Sequence, residues 1–180
     1  MPLTTYTAGQ VLDAASLNAN LVFAAANPAS KIVQVVSTNL PSTFSTAANS
    51  YTDITGLSVS ITPTLDTSKV LVFVGFTAAV SADISVMFQL VRGATAINIG
   101  DAAGSRTRAS AAMLSNNDTL QFGTYNWQFL DSPATTSATT YKVQMFVNSG
   151  TGYINRTGAD GDNANRPRTS SNITVMEVLA

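Results

Sequence analysis

The sequence has no cysteine and no histidine. Without cysteine there are no disulfides, no thiolate zinc ligands and no thiol nucleophile. Without histidine the chain lacks the usual general base, the commonest metal ligand and the side chain that titrates near neutrality. Charge is scarce as well: Asp, Glu, Lys and Arg make up 11% of the 180 residues, against roughly 25% in an ordinary soluble domain. Ser, Thr, Asn and Ala fill the gap. A surface this poor in charge has little electrostatic protection against association, so much of it is expected to be covered by copies of the chain or by a partner. The nine basic residues never form a run, and neutralising several phosphates needs Lys and Arg concentrated in one place. Arg106 with Arg108, and Arg166 with Arg168, are too sparse, so no nucleic-acid partner is expected. No stretch approaches the ~18 consecutive apolar residues of a membrane span. The opening Met1-Pro2-Leu3-Thr4-Thr5 lacks the basic start and apolar core of a signal peptide. The expectation is a soluble protein made in a cytoplasm, without membrane insertion.

What is present divides into an arm and a domain. Asp13 can cap a short helix whose apolar residues recur at Ala14, Leu17, Leu21 and Ala25, one helical face. Asn27-Pro28 closes it, because the residue before a proline is pushed out of the helical region. Such a helix is marginal alone and must dock, either on its own domain or as an anchor on another subunit. From Lys31 the period changes to two. Ile32, Val33, Val35 and Val36 give an expected buried run, and Leu57, Val59 and Ile61 alternate with Ser58, Ser60 and Thr62. Val70 to Phe76 suits a central strand, and Ile84, Val86, Phe88 and Leu90 alternate again. Arg92-Gly93 turns the chain towards Thr95, Ile97 and Ile99. Tyr125, Trp127 and Phe129 share one face, Tyr141 to Val147 repeats the pattern, and Tyr153-Ile154 and Ile173 to Leu179 complete the set. Turn-forming clusters at Thr62-Pro63, Asp66-Thr67-Ser68, Ser132-Pro133 and Asp160-Gly161-Asp162-Asn163 separate these runs. With no helical pattern after Pro28, the chain reads as all-β: residues 1–30 an N-terminal arm, residues 31–180 an antiparallel β-sandwich or jelly roll.

Chemistry is hard to find. Most acidic residues sit in predicted turns, where Asp is common because its side chain bonds nearby amides. No carboxylate pair stands out, and the chain is not expected to be an enzyme. The loop Asp160 to Asn165 is dense in oxygen ligands, yet Ala164 and Asn165 break the calcium-loop template; a polar surface loop accounts for it, and no metal or cofactor is expected. Gly100 to Arg108 lacks the Lys and spacing of a phosphate loop. Its Arg106 or Arg108 either pairs with an acidic residue of a neighbouring subunit or is an intrachain or solvated cation. Trp127 with Tyr125 could stack a sugar, but alternating aromatics on a strand are more often core.

Two stretches resemble known proteins. Tyr6 to Asn20 (Tyr6-Thr7-Ala8-Gly9-Gln10-Val11-Leu12-Asp13-Ala14-Ala15-Ser16-Leu17-Asn18-Ala19-Asn20) is similar to the N-terminal segment of many tailed-phage virion proteins. The remainder resembles the small β-sandwich modules of fibre tips and capsid surfaces, cyanophage-like in character. Its carriers are Lys31 to Val35, Asp53 to Pro63, Leu90-Val91-Arg92-Gly93 with Gly100 to Arg108, Asp131-Ser132-Pro133, and Asn172 to Val178. The resemblance implies a virion-surface protein with a TNF-like sandwich, a homotrimer without catalytic residues or cofactor. The arm passes into the sandwich around Asn27 to Lys31, leaving no room for a fibre shaft. That suits a capsid cement or decoration protein whose partners are itself and the major capsid protein. Tyr6, Val11, Leu12, Leu17 and Leu21 would then contact the capsid. Asp101, Arg106, Arg108, Asp160, Asp162 and Arg166 would stand at subunit boundaries or in outer loops. The alternative is a receptor-binding tip whose loops 101–118 and 158–170 read host surface polysaccharide.

Overall fold

β-Branched and aromatic residues alternating with Ser, Thr and Asn suit extended backbone with one side in a core and the other outward. The computed structural model describes residues 31–81, 84–114, 120 and 122–180. The expected arm, its helix and the residues Tyr6, Val11, Leu12, Leu17 and Leu21 lie outside the described residues. Ile32–Ala180 forms one compact unit. Its strands are β1 (Ile32–Leu40), β2 (Phe44–Thr46), β3 (Thr52–Ile61), β4 (Lys69–Val80), β5 (Ser85–Arg92), β6 (Thr95–Ile97), β7 (Ala111–Leu114), β8 (Phe122–Asp131), β9 (Thr139–Val147), β10 (Gly152–Ile154) and β11 (Ser171–Val178). Among the described residues no helix is long and apolar enough to cross a membrane.

The strands form two antiparallel sheets. The first runs β1-β11-β4-β10-β2 with β8 also on β4, and the second runs β3-β9-β5-β6 with β7 also on β5. Along one flank of β4, β11 pairs with Lys69 to Gly75 and β10 with Ala78 to Val80, while β8 takes the other flank. In the second sheet β6 and β7 likewise lie end to end along β5, opposite β9. Each sheet is therefore four strands wide for most of its length.

Inward residues of both sheets share one core. Val70, Val72, Val74, Phe76 and Ala78 of β4 join Val86, Phe88 and Leu90 of β5 and Tyr141, Val143, Met145 and Val147 of β9. Phe76 and Phe88 meet across the sheets edge to face, ring centroids 4.7 Å apart, a geometry aromatic pairs favour. Tyr125 stacks on Phe76 at 5.3 Å and Trp127 meets it edge-on at 5.4 Å. Both are half-buried against the core, packed as its rim.

Two buried polar clusters brace the sandwich. Asp131 at the end of β8 accepts from Arg92 Nη1 of β5 at 2.9 Å and from the Tyr141 hydroxyl of β9 at 2.7 Å, tying the first sheet to the second. Burial pushes the Tyr141 phenol above its ordinary pKa, and the Asp131 carboxylate adds to the effect. Glu177 of β11 is fully buried, and its Oε1 accepts from the Thr64 amide, the Thr64 hydroxyl and the Ser68 hydroxyl, each at 2.7 Å. Burial pushes this carboxyl up, but those hydroxyls with the amides of Thr64 and Leu65 outweigh it and leave the pKa below its ordinary value.

Two glycines with positive φ shape the strand connections and edges. Gly93, at φ 59°, makes the β5–β6 turn. Gly56, at φ 89°, sits in the register shift of β3 between Asp53 and Ser58, where a Cβ would come within 2.8 Å of the Leu40 side chain. Strands β2 and β7 occupy segments without an expected strand, and β7 lies inside the outward loop expected over 101–118. Phe44-Ser45-Thr46 and Ala111 to Leu114 hold no Val or Ile to mark a strand, whereas the equally short β6 and β10 each hold an isoleucine.

Candidate interaction surfaces

The outward residues of the first sheet line up across four strands. Read through the registers, one row is Val35–Met176–Leu71–Leu130, the next Ser37–Thr174–Phe73–Gln128 and the third Asn39–Asn172–Gly75–Asn126. None of these residues is charged; Lys69 stands at the end of the face, opposite Val178. Val35 is 56% exposed, Leu130 46% and Phe73 38%. Of the eight exposed large apolar residues among those described, five (Ile32, Val33, Val35, Phe73 and Leu130) stand on this face or its β1 edge. That concentration matters because scattered apolar residues are normal on a surface, whereas contiguous ones mark contacts. In the third row the amides of Asn126 and Asn172 lie over Gly75, where a Cβ would be 2.8 Å from Asn126 Oδ1. The second sheet's outer side differs. There Lys142 Nζ meets Asp53 at 2.7 Å, Gln144 donates to the same carboxylate and Gln89 donates to Gln144. The Lys142 hydrogen bond leads in holding Asp53 below its ordinary pKa.

At the far end of the first sheet the surface becomes polar and charged. β10 and β11 run along the same flank of β4, interrupted by residues 155–170. Asn155 closes the base of this excursion from a fully buried position. Its Nδ2 donates to the carbonyls of Leu40 and Ser42, its Oδ1 accepts from Ser171 and Thr169, and its backbone amide donates to Thr77. Its φ of 61° is one that Asn tolerates better than most residues. Within the loop Asp160 is held between Arg156 at 3.0 Å and Arg168 at 2.7 Å, and the Arg156 guanidinium lies 4.1 Å from the centre of the Tyr153 ring. Asp160, Gly161, Asp162, Asn163, Arg166 and Arg168 line a cavity of about 260 Å³. The structure thus brings together Asp160, Asp162 and Arg166. Arg156 and Tyr153, which complete the cluster, carry no signal of their own in the sequence.

Asp101, Arg106 and Arg108 lie elsewhere, in the excursion between β6 and β7 at the flank of the second sheet. Arg108 Nε donates to the Gly100 carbonyl at 2.6 Å, and the Tyr51 hydroxyl donates to the Arg108 carbonyl at 2.7 Å. Among the described residues no three of Asp, Glu, His and Cys gather in a way that could hold a metal ion.

Fold and surfaces together define, among the described residues, an all-β domain of two packed antiparallel sheets, one with three uncharged rows on its outer side. No protein-family model matches the sequence, and no curated protein matches it. Among solved structures the chain is similar to a chain in the structure of infectious bursal disease virus Gt strain, with 15% identity and a TM-score of 0.42. The match covers 82% of this chain and 38% of that one, so this chain spans well under half its neighbour's length.

Proposed function

We infer that the chain is a structural protein of a tailed-phage virion surface, a homotrimeric cement or decoration protein that stabilises the capsid shell without catalysis. The observation that carries this reading is the set of three uncharged rows on the outer side of the first sheet, among them the cross-strand row of Val35, Met176, Leu71 and Leu130. A surface of this kind favours association. The sequence resemblance supplies the virion setting. The strand orders also support a jelly-roll reading of the sandwich: β1-β11-β4-β8 faces β3-β9-β5 with β6 and β7, the double-sheet arrangement recurrent in capsid and lectin domains. In this reading residues 1–30 anchor the protein on the major capsid protein, and assembly takes place in the host cytoplasm. Three arms per trimer multiply weak contacts into firm attachment.

The test adds purified protein to capsids that lack it. Coating, with raised heat resistance of the shell, is the expected result; capsids left bare would refute the cement role. Deleting residues 1–27 is expected to abolish coating, and undiminished coating would remove the arm from the mechanism. A second reading, a receptor-binding tip, is favoured by the polar cavity at Asp160, Asp162 and Arg166. Binding to purified host surface polysaccharide, lost in Arg166→Ala, is the outcome that supports it.

A further inference from the structure

We propose that the cavity in the excursion between β10 and β11 binds a neutral sugar ring through adjacent hydroxyls, held between the Asp162 carboxylate and the Arg166 guanidinium. This deepens the receptor-binding reading and rests on it: it names the chemistry of the ligand that the loop takes.

The fold has already used much of the charge in this loop. Arg156 spends every side-chain nitrogen: Nη1 on Asp160 at 3.0 Å, Nε on the Thr157 carbonyl and Nη2 on that of Gly158, each at 3.1 Å. Arg168 Nη2 holds Asp160 from a second direction at 2.7 Å. The wall that Asp160 forms is therefore braced before a ligand arrives, which lowers the cost of ordering it on binding. Two charged side chains of the lining are left over. Among the described residues no hydrogen bond or ion pair engages the Asp162 carboxylate or the Arg166 guanidinium, although both line the same cavity of about 260 Å³. Arg166 lies against Gly161, whose missing side chain makes the room, since a Cβ there would collide with Arg166 Nη1. Asn163 gives its Oδ1 to the Asn165 amide at 2.8 Å, which leaves its Nδ2 as a further donor.

These unused groups select the ligand. Asp162 only accepts hydrogen bonds, whereas the Arg166 guanidinium and Asn163 Nδ2 only donate. An anion would pair with Arg166 but stand beside the Asp162 carboxylate, and a cation would meet the reverse. A hydroxyl donates and accepts at once, so neighbouring hydroxyls of one ring satisfy carboxylate and guanidinium together without net charge. Every lining residue is polar or glycine, which suits a ligand covered in hydroxyls and not an apolar one.

The experiment titrates the full chain by calorimetry with neutral mannan, dextran and galactan, with anionic alginate, and with glycine as a zwitterion. At least one neutral polysaccharide is expected to bind, with an affinity that holds between about 0.05 and 0.5 M salt, where a charge-driven contact would be screened. Asp162→Ala and Arg166→Ala are each expected to weaken it about tenfold or more, the loss of a hydrogen bond to a charged group. Gly161→Ala removes no polar group and is expected to weaken binding by displacing Arg166. Asp101→Ala, at the flank of the second sheet, should leave it unchanged. All four variants are expected to keep the wild-type circular dichroism; should one fail to fold, the others and the salt series decide. Binding to alginate or glycine alone, neutral binding untouched by Asp162→Ala and Arg166→Ala, or no binding to any neutral probe overturns the proposal. The two readings fail separately. If a neutral polysaccharide binds here but purified host surface polysaccharide does not, the receptor-binding role falls and the site stands. If host polysaccharide binds and Asp162→Ala leaves that binding unchanged, the role stands and the present inference falls.

Discussion

Replacing Asp131 with alanine removes the acceptor on which the two sheets converge. Arg92 Nη1 reaches both carboxylate oxygens at 2.9 Å, and the Tyr141 hydroxyl donates at 2.7 Å from a fully buried ring. The Asp131 side chain is 7% exposed and that of Arg92 29%, so solvent screens the pair only partly. In Asp131→Ala a guanidinium and a phenol are left facing a cavity without an acceptor. Breaking a buried pair on one side typically costs about 3–5 kcal/mol; the partial exposure of Arg92 argues for the lower end, about 3 kcal/mol. In a domain of this size each kcal/mol moves the melting temperature by roughly 2–4 °C, so a fall of roughly 10 °C is expected. Tyr141→Phe removes one hydrogen bond to a charged group and should cost about 1.5–3 kcal/mol. The double variant should cost less than the sum, because both substitutions break the same bond. Urea unfolding followed by Trp127, the one tryptophan of the chain and packed at the core rim, reads all three at fixed protein concentration. A loss under 1 kcal/mol in Asp131→Ala would refute the view that this cluster ties the sheets.

Glu177 sets a pH dependence. Its folded-state pKa is depressed, so its contribution is complete above the ordinary value of 4.5 and is lost as pH falls through the lower folded value. Stability should therefore decline on acidification below about pH 4.5, and Glu177→Gln should flatten that decline; an unchanged acid limb would contradict the assignment. Asn155→Ala strands the Leu40 and Ser42 carbonyls and should cost about 2–4 kcal/mol. Hydrogen exchange is expected to rise across residues 155–170 before the sheets loosen, and uniform exchange would show that Asn155 does not close that loop. Gly56→Ala forces a Cβ into a left-handed backbone against Leu40, a loss of about 1–3 kcal/mol; a neutral result by urea unfolding would mean that β3 relaxes there at no cost.

The strands were legible because alternation is local. Ser58 and Ser60 against Leu57, Val59 and Ile61 declare which side of β3 is buried before any partner strand is known. The short β2 and β7 leave no such trace. What joins distant residues was not legible at all. Val35, Met176, Leu71 and Leu130 come from four strands, and only the registers of β1, β11, β4 and β8 bring them into one row. The buried state of Asp131 and Glu177 escaped for the same reason, since their donors lie in other strands or in a turn more than a hundred residues away. Asp160, Asp162 and Arg166 could be grouped because one loop holds them, whereas Arg156 needed the base of that loop to be located first.

The excursion at 155–170 leaves the flank of β4 at Ile154 and returns to the same flank at Ser171. Asn155, Thr169 and Ser171 close it with their own hydrogen bonds. These closing bonds lie outside residues 158–168, so the ladder on either side is expected to keep its register when the loop is changed. Residues 158–168 therefore read as a cassette: sequences exchanged or lengthened there are expected to leave the sandwich's pairings as they are. Such a position lets the exposed chemistry change while the two-sheet core stays constant, and it marks where a foreign peptide could be grafted for display.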